Sequence, residues 1–157
     1  MKIIPYHNLI ASKVKSWRQI RKEAQELREY INRGNFEGHY SKAYAISHAQ
    51  VSNNPLTYFV VNEEYKDLID LFGSWCVINL KIIKRKEEVY WKEACLSFPF
   101  REPKNTDRFN KVTVKYSIPF FGFTRLIKRD FVGLPAFIVQ HEFDHARGVN
   151  LYGRIKQ

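Results

Sequence analysis

The sequence predicts an α+β fold whose sheet is antiparallel or mixed. Three observations carry this. An amphipathic period runs over residues 14–31, β-branched and aromatic runs fill the middle of the chain, and a second helical segment near the end is bracketed by Pro135 and Gly148.

In chain order, Val14, Trp17, Ile20, Ala24, Leu27 and Ile31 recur every three or four positions and Gly34 follows as a stop, which predicts one helix from Val14 to Ile31. Its other side carries Arg18, Arg21, Lys22, Glu26 and Glu29 and reads as a solvated face. Residues 34–56, GNFEGHYSKAYAISHAQVSNNPL, are rich in small and turn-forming types and read as loop and irregular strand ahead of the β-rich TYFVVN. EEYKDLIDLFGS predicts a short helix. WCVINLKII, EEVYW, KVTVKYSIPF and FTRLI are β-branched and aromatic runs bounded by Gly, Pro or charge, and predict strands. GLPAFIVQHEFDHARG closes the series as a helix, with Pro135 suited to its first turn and Gly148 to its end.

A chain of 157 residues fits a single domain, 1–157, since such a length buries roughly 70% of the surface its unfolded form exposes. Hydrophobic residues at 45% and aromatics at 15% exclude a disordered polymer. The longest apolar runs fall short of the roughly 18 residues a bilayer requires, and the N-terminus lacks an apolar core followed by a small-residue cleavage site. The expectation is a cytoplasmic protein with no membrane partner. Two cysteines, Cys76 and Cys95, are too few for a disulfide framework. Net charge of +10 suits an acidic partner such as RNA, a ribosome or an anionic surface, or serves solubility alone. The positive runs KSWRQIRK, KIIKRK and FTRLIKRD have no aromatic nucleic-acid motif beside them.

The chemistry concentrates in HEFDHARG, residues 141–148. On a helix, His141 and His145 stand one turn apart on one face, roughly 6 Å apart, and can share one cation. Glu142 flanks that face, as a carboxylate must if it is to take a proton from a metal-activated water and pass it to a leaving group. Asp144 reads as a supporting or capping acid. The bland alternative makes the two histidines helix-end cations favoured by the macrodipole. A third ligand decides between them, and Cys95 in KEACLSFP, after the EEVYW strand, offers a thiolate that completes a His2Cys set with a fourth position open. Cys76, inside an apolar run, reads as a buried hydrophobe.

At these residues the chain resembles the peptide deformylases, metallohydrolases that remove the N-formyl group from nascent polypeptides. Three motifs mark that family, roughly G-φ-G-φ-A-A-x-Q, E-G-C-L-S and Q-H-E-x-D-H with a glycine three residues on. The third is intact here as Gln140, His141, Glu142, Asp144, His145 and Gly148. The second reads Glu93-Ala94-Cys95-Leu96-Ser97, and of the first, AYAISHAQ at 43–50, Gln50 is the specific residue kept. The resemblance covers nearly the whole chain from the first helix onward, and it implies β-sheets packed around a central C-terminal helix that carries HExxH. It implies that Cys95, His141 and His145 hold one divalent metal, natively Fe2+, with Zn2+ or Ni2+ able to replace it. Glu142 would be the general base and then the acid that protonates the leaving amine. Gln50 and the backbone amide of Leu96 would hold the formyl oxygen as charge develops on it. Glu93 would orient the second motif. Leu134, Phe137 and Ile138 would form the methionine pocket, with Tyr44, Ala45 and Ala94 lining the substrate cleft. The partners implied are N-formylmethionyl nascent peptides, and a basic surface could serve a loose approach to the ribosome. A short form without the C-terminal ribosome-docking helix is similar to phage-encoded members. One deep site in one domain predicts a monomer.

The first motif departs from the pattern. Ala43 and Ala45 stand where the family has glycines, which excludes positive φ and adds a methyl in tight space, and Ser47 and His48 replace two small alanines. Tyr44 would narrow the pocket, and His48 reads as a satisfied structural histidine or a spare ligand. The expected effect is on selectivity. Two competing readings remain open at this level: a catalytically impaired relative that binds a ribosome or RNA, and an HExxH endopeptidase, against which a cysteine as third ligand argues.

Overall fold

In the computed structural model, residues 1–4, 8–34, 36, 43–98 and 102–154 are described. The first helix, α1, spans Trp17–Arg33, three residues later than the periodicity predicts. Ser16 caps it, its side chain accepting from the Gln19 N–H, and Gly34 ends it in the left-handed conformation at φ 65°. Val14 is buried, but by tertiary contact rather than helix: its backbone N–H and C=O are both taken by the Asn79 side chain, at 2.9 and 2.8 Å. The apolar period therefore counts one residue that belongs to the approach to α1. Ile20, Ala24, Leu27 and Ile31 make the buried stripe as expected.

The segment read as loop and irregular strand lies partly outside the described residues, namely at 35 and 37–42. Beyond them come the strand β1, Ala45–Ser47, and a 3₁₀ turn, His48–Gln50. β2, Tyr58–Val61, is buried throughout. The short helix expected near residue 66 is α2, Lys66–Phe72, entered through a 3₁₀ turn at Glu63–Tyr65.

The two strands predicted on either side of the KRK run are one. β3 runs from Cys76 to Glu93, and β4, Lys104–Phe120, starts well before the KVTVKYSIPF run. The charged stretch Lys84–Glu88 is exposed and forms part of the β3–β4 ladder, so its polarity reflects a wet face and not a break. Two register shifts and the positive φ of Asn79 and Glu87 absorb the bending of so long a strand. β5, Phe123–Val132, returns through a two-residue turn in which Phe121 and Gly122 both have positive φ, 43° and 84°. That is the primed geometry that matches strand twist, and it explains the glycine. All pairings are antiparallel, in the order β1-β2-β3-β4-β5.

The last helix, α3, covers Leu134–Ala146 and is buried along most of its length. One apolar cluster joins it to the inner sheet face through Val112, Val114, Tyr116, Ala136 and Val139. A second packs α1 on β2 and β3. Among the described residues no helix is long and apolar enough to cross a membrane.

Gly148 follows α3 at φ 69°, and a Cβ built there would lie 2.3 Å from the Asn8 carbonyl oxygen. Neither the backbone conformation nor the space admits a side chain. Gly148→Ala is expected to cost about 2 kcal/mol or more, read as a fall in Tm of at least ~4 °C for a chain of this size. A melting point unchanged within a degree would contradict this.

Candidate active site

Both histidines of α3 turn their Nε2 atoms toward each other, 3.1 Å apart. Cys95, in the turn that follows β3, brings its Sγ to 3.2 Å from His145 Nε2, and the three ligand atoms all lie within 4.8 Å of one another. His141 presents its other nitrogen, Nδ1, to the Glu93 carboxylate at 3.1 Å, so whenever the imidazole is neutral the proton sits on Nδ1 and Nε2 offers its lone pair to the cluster. Lone pairs of two imidazoles and a sulfur converging on one point are the donor chemistry of a cation site.

Behind these donors stands a buried ionic network. Glu93 receives Arg108 Nη2 at 2.5 Å and the Thr106 hydroxyl at 2.7 Å on one oxygen, while its other oxygen holds His141. Arg108, 1% exposed, directs its second arm to Asp144 at 2.5 Å. Against the burial that would raise it, His141 and then Arg108 hold the Glu93 carboxyl down at about 2. The same two carboxylates raise the Arg108 guanidinium despite its burial. Asp144, expected as a supporting acid, thus supports the site through Arg108, which no sequence motif marked. Gln140 ties α3 to β4 as a surrogate strand: it accepts from the Phe109 N–H at 2.9 Å and donates to the Phe109 C=O at 2.8 Å.

Glu142 is also buried and lines the cavity beside the cluster. Its Oε2 has no hydrogen-bond partner among the described residues. Burial pushes its carboxyl up to about 7, in opposition to the His141 charge. A carboxyl held there can exist in either protonation state at neutral pH.

The first motif comes to the same place by a local device. The Ser47 hydroxyl accepts the Ala49 N–H, and the Gln50 side-chain oxygen accepts the Ser47 N–H at 3.0 Å. With that oxygen occupied, the Gln50 amide nitrogen points at Ser97 Oγ, 3.2 Å, and Cys95 Sγ, 3.6 Å. His48 is a structural histidine. Its Nδ1 accepts the Leu56 N–H, its Nε2 lies 3.0 Å from Glu23 Oε1, and its ring stacks on Tyr58. Ala43 and Ala45 both have ordinary backbone, since neither is among the positive-φ residues, so alanine there introduces no strain of the kind the lost glycines suggested.

Gln50, Glu93, Cys95, His141 and Glu142 border one cavity of about 330 Å³. Tyr44, Ala45, Ala94, Leu134, Phe137 and Ile138 line it, together with Leu96. Tyr44 leans on Tyr65 with ring centroids 4.5 Å apart. Sequence reasoning missed Trp91, which stacks on Phe137 at 4.3 Å and continues the apolar wall, and Lys92 beside it. Trp91 sat in a run read only as a strand, and Lys92 opened the KEACLSFP stretch that was read for its cysteine. Cys76, by contrast, is fully buried away from the cluster, and burial raises its thiol pKa.

An α+β fold with a two-histidine, one-cysteine donor set at the wall of an apolar cavity defines a candidate mononuclear metal protein. The family model for polypeptide deformylase matches residues 3–157, and the chain belongs to that family. It is 37% identical over 89 residues to a peptide deformylase of Helicobacter hepaticus and 38% identical over 87 residues to one of Thermotoga neapolitana. Those alignments take in 55% and 54% of this chain but 43% and 49% of the relatives, so the chain spans about half the length of the curated proteins it matches. In fold it is similar to the peptide deformylase of Thermotoga maritima, with a TM-score of 0.78 at 23% identity over 99% of this chain and 97% of the other. It is likewise similar to the enzyme of the Vibrio parahaemolyticus bacteriophage VP16T, solved with actinonin, with a TM-score of 0.74 at 24% identity over 96% and 100%.

Proposed function

We propose that this chain is a metal-dependent hydrolase that removes the formyl group from the N-terminus of formyl-methionyl peptides and releases formate. The convergence of Cys95 Sγ, His141 Nε2 and His145 Nε2 beside the unpartnered Glu142 oxygen carries the reading. A divalent ion held by those three donors, Fe2+ natively with Zn2+ or Ni2+ as substitutes, supplies a Lewis acid that polarises the formyl carbonyl and acidifies water.

The rest is the work of the chain. Glu142 takes a proton from the attacking water and returns it to the departing amine, so that formate and a free N-terminus result. The Gln50 amide, turned by the Ser47 N–H so that its nitrogen faces the cluster, donates to the oxygen on which charge accumulates, and the Leu96 N–H is the second donor. Glu93 orients His141, and Arg108 and Thr106 fix Glu93. The first side chain of the substrate enters between Leu134, Phe137, Ile138 and Trp91, while Tyr44, Ala45 and Ala94 flank its backbone. Tyr44, leaning on Tyr65 at the cavity edge, shapes selectivity. We take residues 1–157 as one functional unit, acting as a monomer in the cytoplasm.

The test is formate release from a short formyl-Met peptide by protein prepared anaerobically with Fe2+, or in Ni2+. Turnover is expected to cease on chelation and to return with metal. Iodoacetamide should modify Cys95 after chelation and leave Cys76 untouched until the chain unfolds. One tightly bound metal with no formate released would overturn the catalytic reading.

A further inference from the structure

The outer face of the β3–β5 sheet carries charge in an arrangement that solubility does not require. Lys81 lies directly opposite Lys115, and Lys115 directly opposite Lys128, so three lysines form one row across three strands. All three are exposed, and among the described residues none has an ion-pair partner. Lys86 pairs with Lys111 in a second row, where Glu87 reaches Lys111 at 2.5 Å, and Lys84 stands between the rows. Like charges directly opposite on one sheet face destabilise it, and scattering the same residues would keep the protein soluble without that cost. The inner face contrasts with this: there Arg108 is paired with two carboxylates and Arg129 donates to the Leu71 carbonyl. Among the described residues Lys81, Lys115 and Lys128 have no carboxylate partner, whereas on the same face Lys111 is held by Glu87 and Asp130 accepts from the Thr113 hydroxyl.

At the tip of the same hairpin Phe121 is 89% and Phe123 75% exposed, and Arg125 sits 5.6 Å from the Phe120 ring. Phe123 and Arg125 register with Phe120 and Ile118, on the other face from Lys115 and Lys128, so Phe121 in the turn is the ring that can meet a chain lying along the lysines. The Lys115–Lys128 rung stands five residues or more from the turn, about 16 Å along the strands. Cations around an inserted tip would serve a lipid surface, whereas rows running back along the hairpin suit a linear polyanion.

We propose that the outer face of β3–β5 binds a single-stranded nucleic acid, with Lys81, Lys115 and Lys128 receiving backbone phosphates and Phe121 stacking on an unpaired base. The surface lies away from the cavity, and the inference does not depend on the hydrolytic reading. Neighbouring strands stand about 4.8 Å apart, so the row spans about 10 Å, and flexible lysine stems can meet successive phosphates along it. Aromatic stacking tolerates any base, so no sequence preference is expected.

The experiment is fluorescence anisotropy of a labelled twelve-nucleotide oligouridylate titrated with the whole chain at several salt concentrations. Binding should weaken linearly in a logarithmic plot against salt. Replacing all three residues, Lys81→Ala with Lys115→Ala and Lys128→Ala, should lower the slope by about 2 and the affinity tenfold or more at 0.1 M salt. Arg18→Ala with Arg21→Ala and Lys22→Ala removes the same charge from the exposed face of α1 and should leave the slope nearly unchanged. Phe121→Ser should weaken binding about fivefold at constant slope. The lysine variant should melt no lower than the parent, because it relieves repulsion, and Lys115→Glu alone should shift affinity in the same direction. Equal losses from the two triple variants would reduce the effect to net charge and overturn the site. So would no salt-dependent binding, or binding to phosphatidylglycerol vesicles with none to the oligonucleotide.

Discussion

Glu142→Gln is expected to lower kcat for a formyl-Met peptide by about 10²–10⁴-fold while the protein keeps its fold and its metal. The three donors are Cys95, His141 and His145, so a change at Glu142 removes no ligand. Glutamine has the same shape and is neutral, and the site it fills is buried, so the substitution takes a carboxyl out of a place that disfavours its ionised form. Stability should therefore hold, and KM should move little, because the cavity walls that take the side chain of the substrate are intact. The measurement is steady-state formate release beside metal content and a thermal melt of the same preparation. A variant that turns over within a few-fold of the parent would assign the proton transfers to another group. One that loses metal along with activity would make Glu142 part of the ion's support.

How much of this was legible in the chain depends on how local each contact is. His141, Glu142 and His145 share a helical turn, so their spacing on the sequence is their geometry. Cys95 was legible through its motif and through the turn residues after β3. The network behind them was not. Glu93 and Arg108 are 15 residues apart and Arg108 and Asp144 are 36 apart, and they meet only because β3 pairs with β4 and α3 lies across both. An arginine in a polar stretch such as NTDRFN carries no mark of being 1% exposed. The merging of two expected strands into β3 has a similar cause. Lys84–Glu88 looks like a boundary because charge usually ends a strand, but it pairs with β4 and its side chains face solvent. Val14 misled in the opposite direction, since a residue buried by the Asn79 amide and the adjoining core keeps the helical period without the helix. In the first motif, Ser47 looked like damage to the pattern. In place, its hydroxyl and its N–H close the turn that aims Gln50.

Arg108→Met should be the most destabilising of the single substitutions considered, by about 3–5 kcal/mol, because it leaves the carboxylates of Glu93 and Asp144 buried without their cation. At roughly 2–4 °C per kcal/mol for a chain of this size, the melting point should fall by about 6 °C at the least. Its second effect reaches the metal. Glu93 holds His141 Nδ1 with one oxygen while the Arg108 and Thr106 contacts fix the other, so losing the guanidinium frees the carboxylate to turn and releases the imidazole from its tautomer. Outer contacts of this kind are typically worth 10–100-fold in metal affinity. Arg108→Lys separates the two contributions: it keeps a charge but has no planar fork to reach Glu93 and Asp144 together, so it should recover part of the stability and little of the affinity. Melting curves and competitive chelation on both variants read the two quantities independently. A loss under about 1 kcal/mol in the methionine variant would mean that water reaches the network and that its burial does not govern the site.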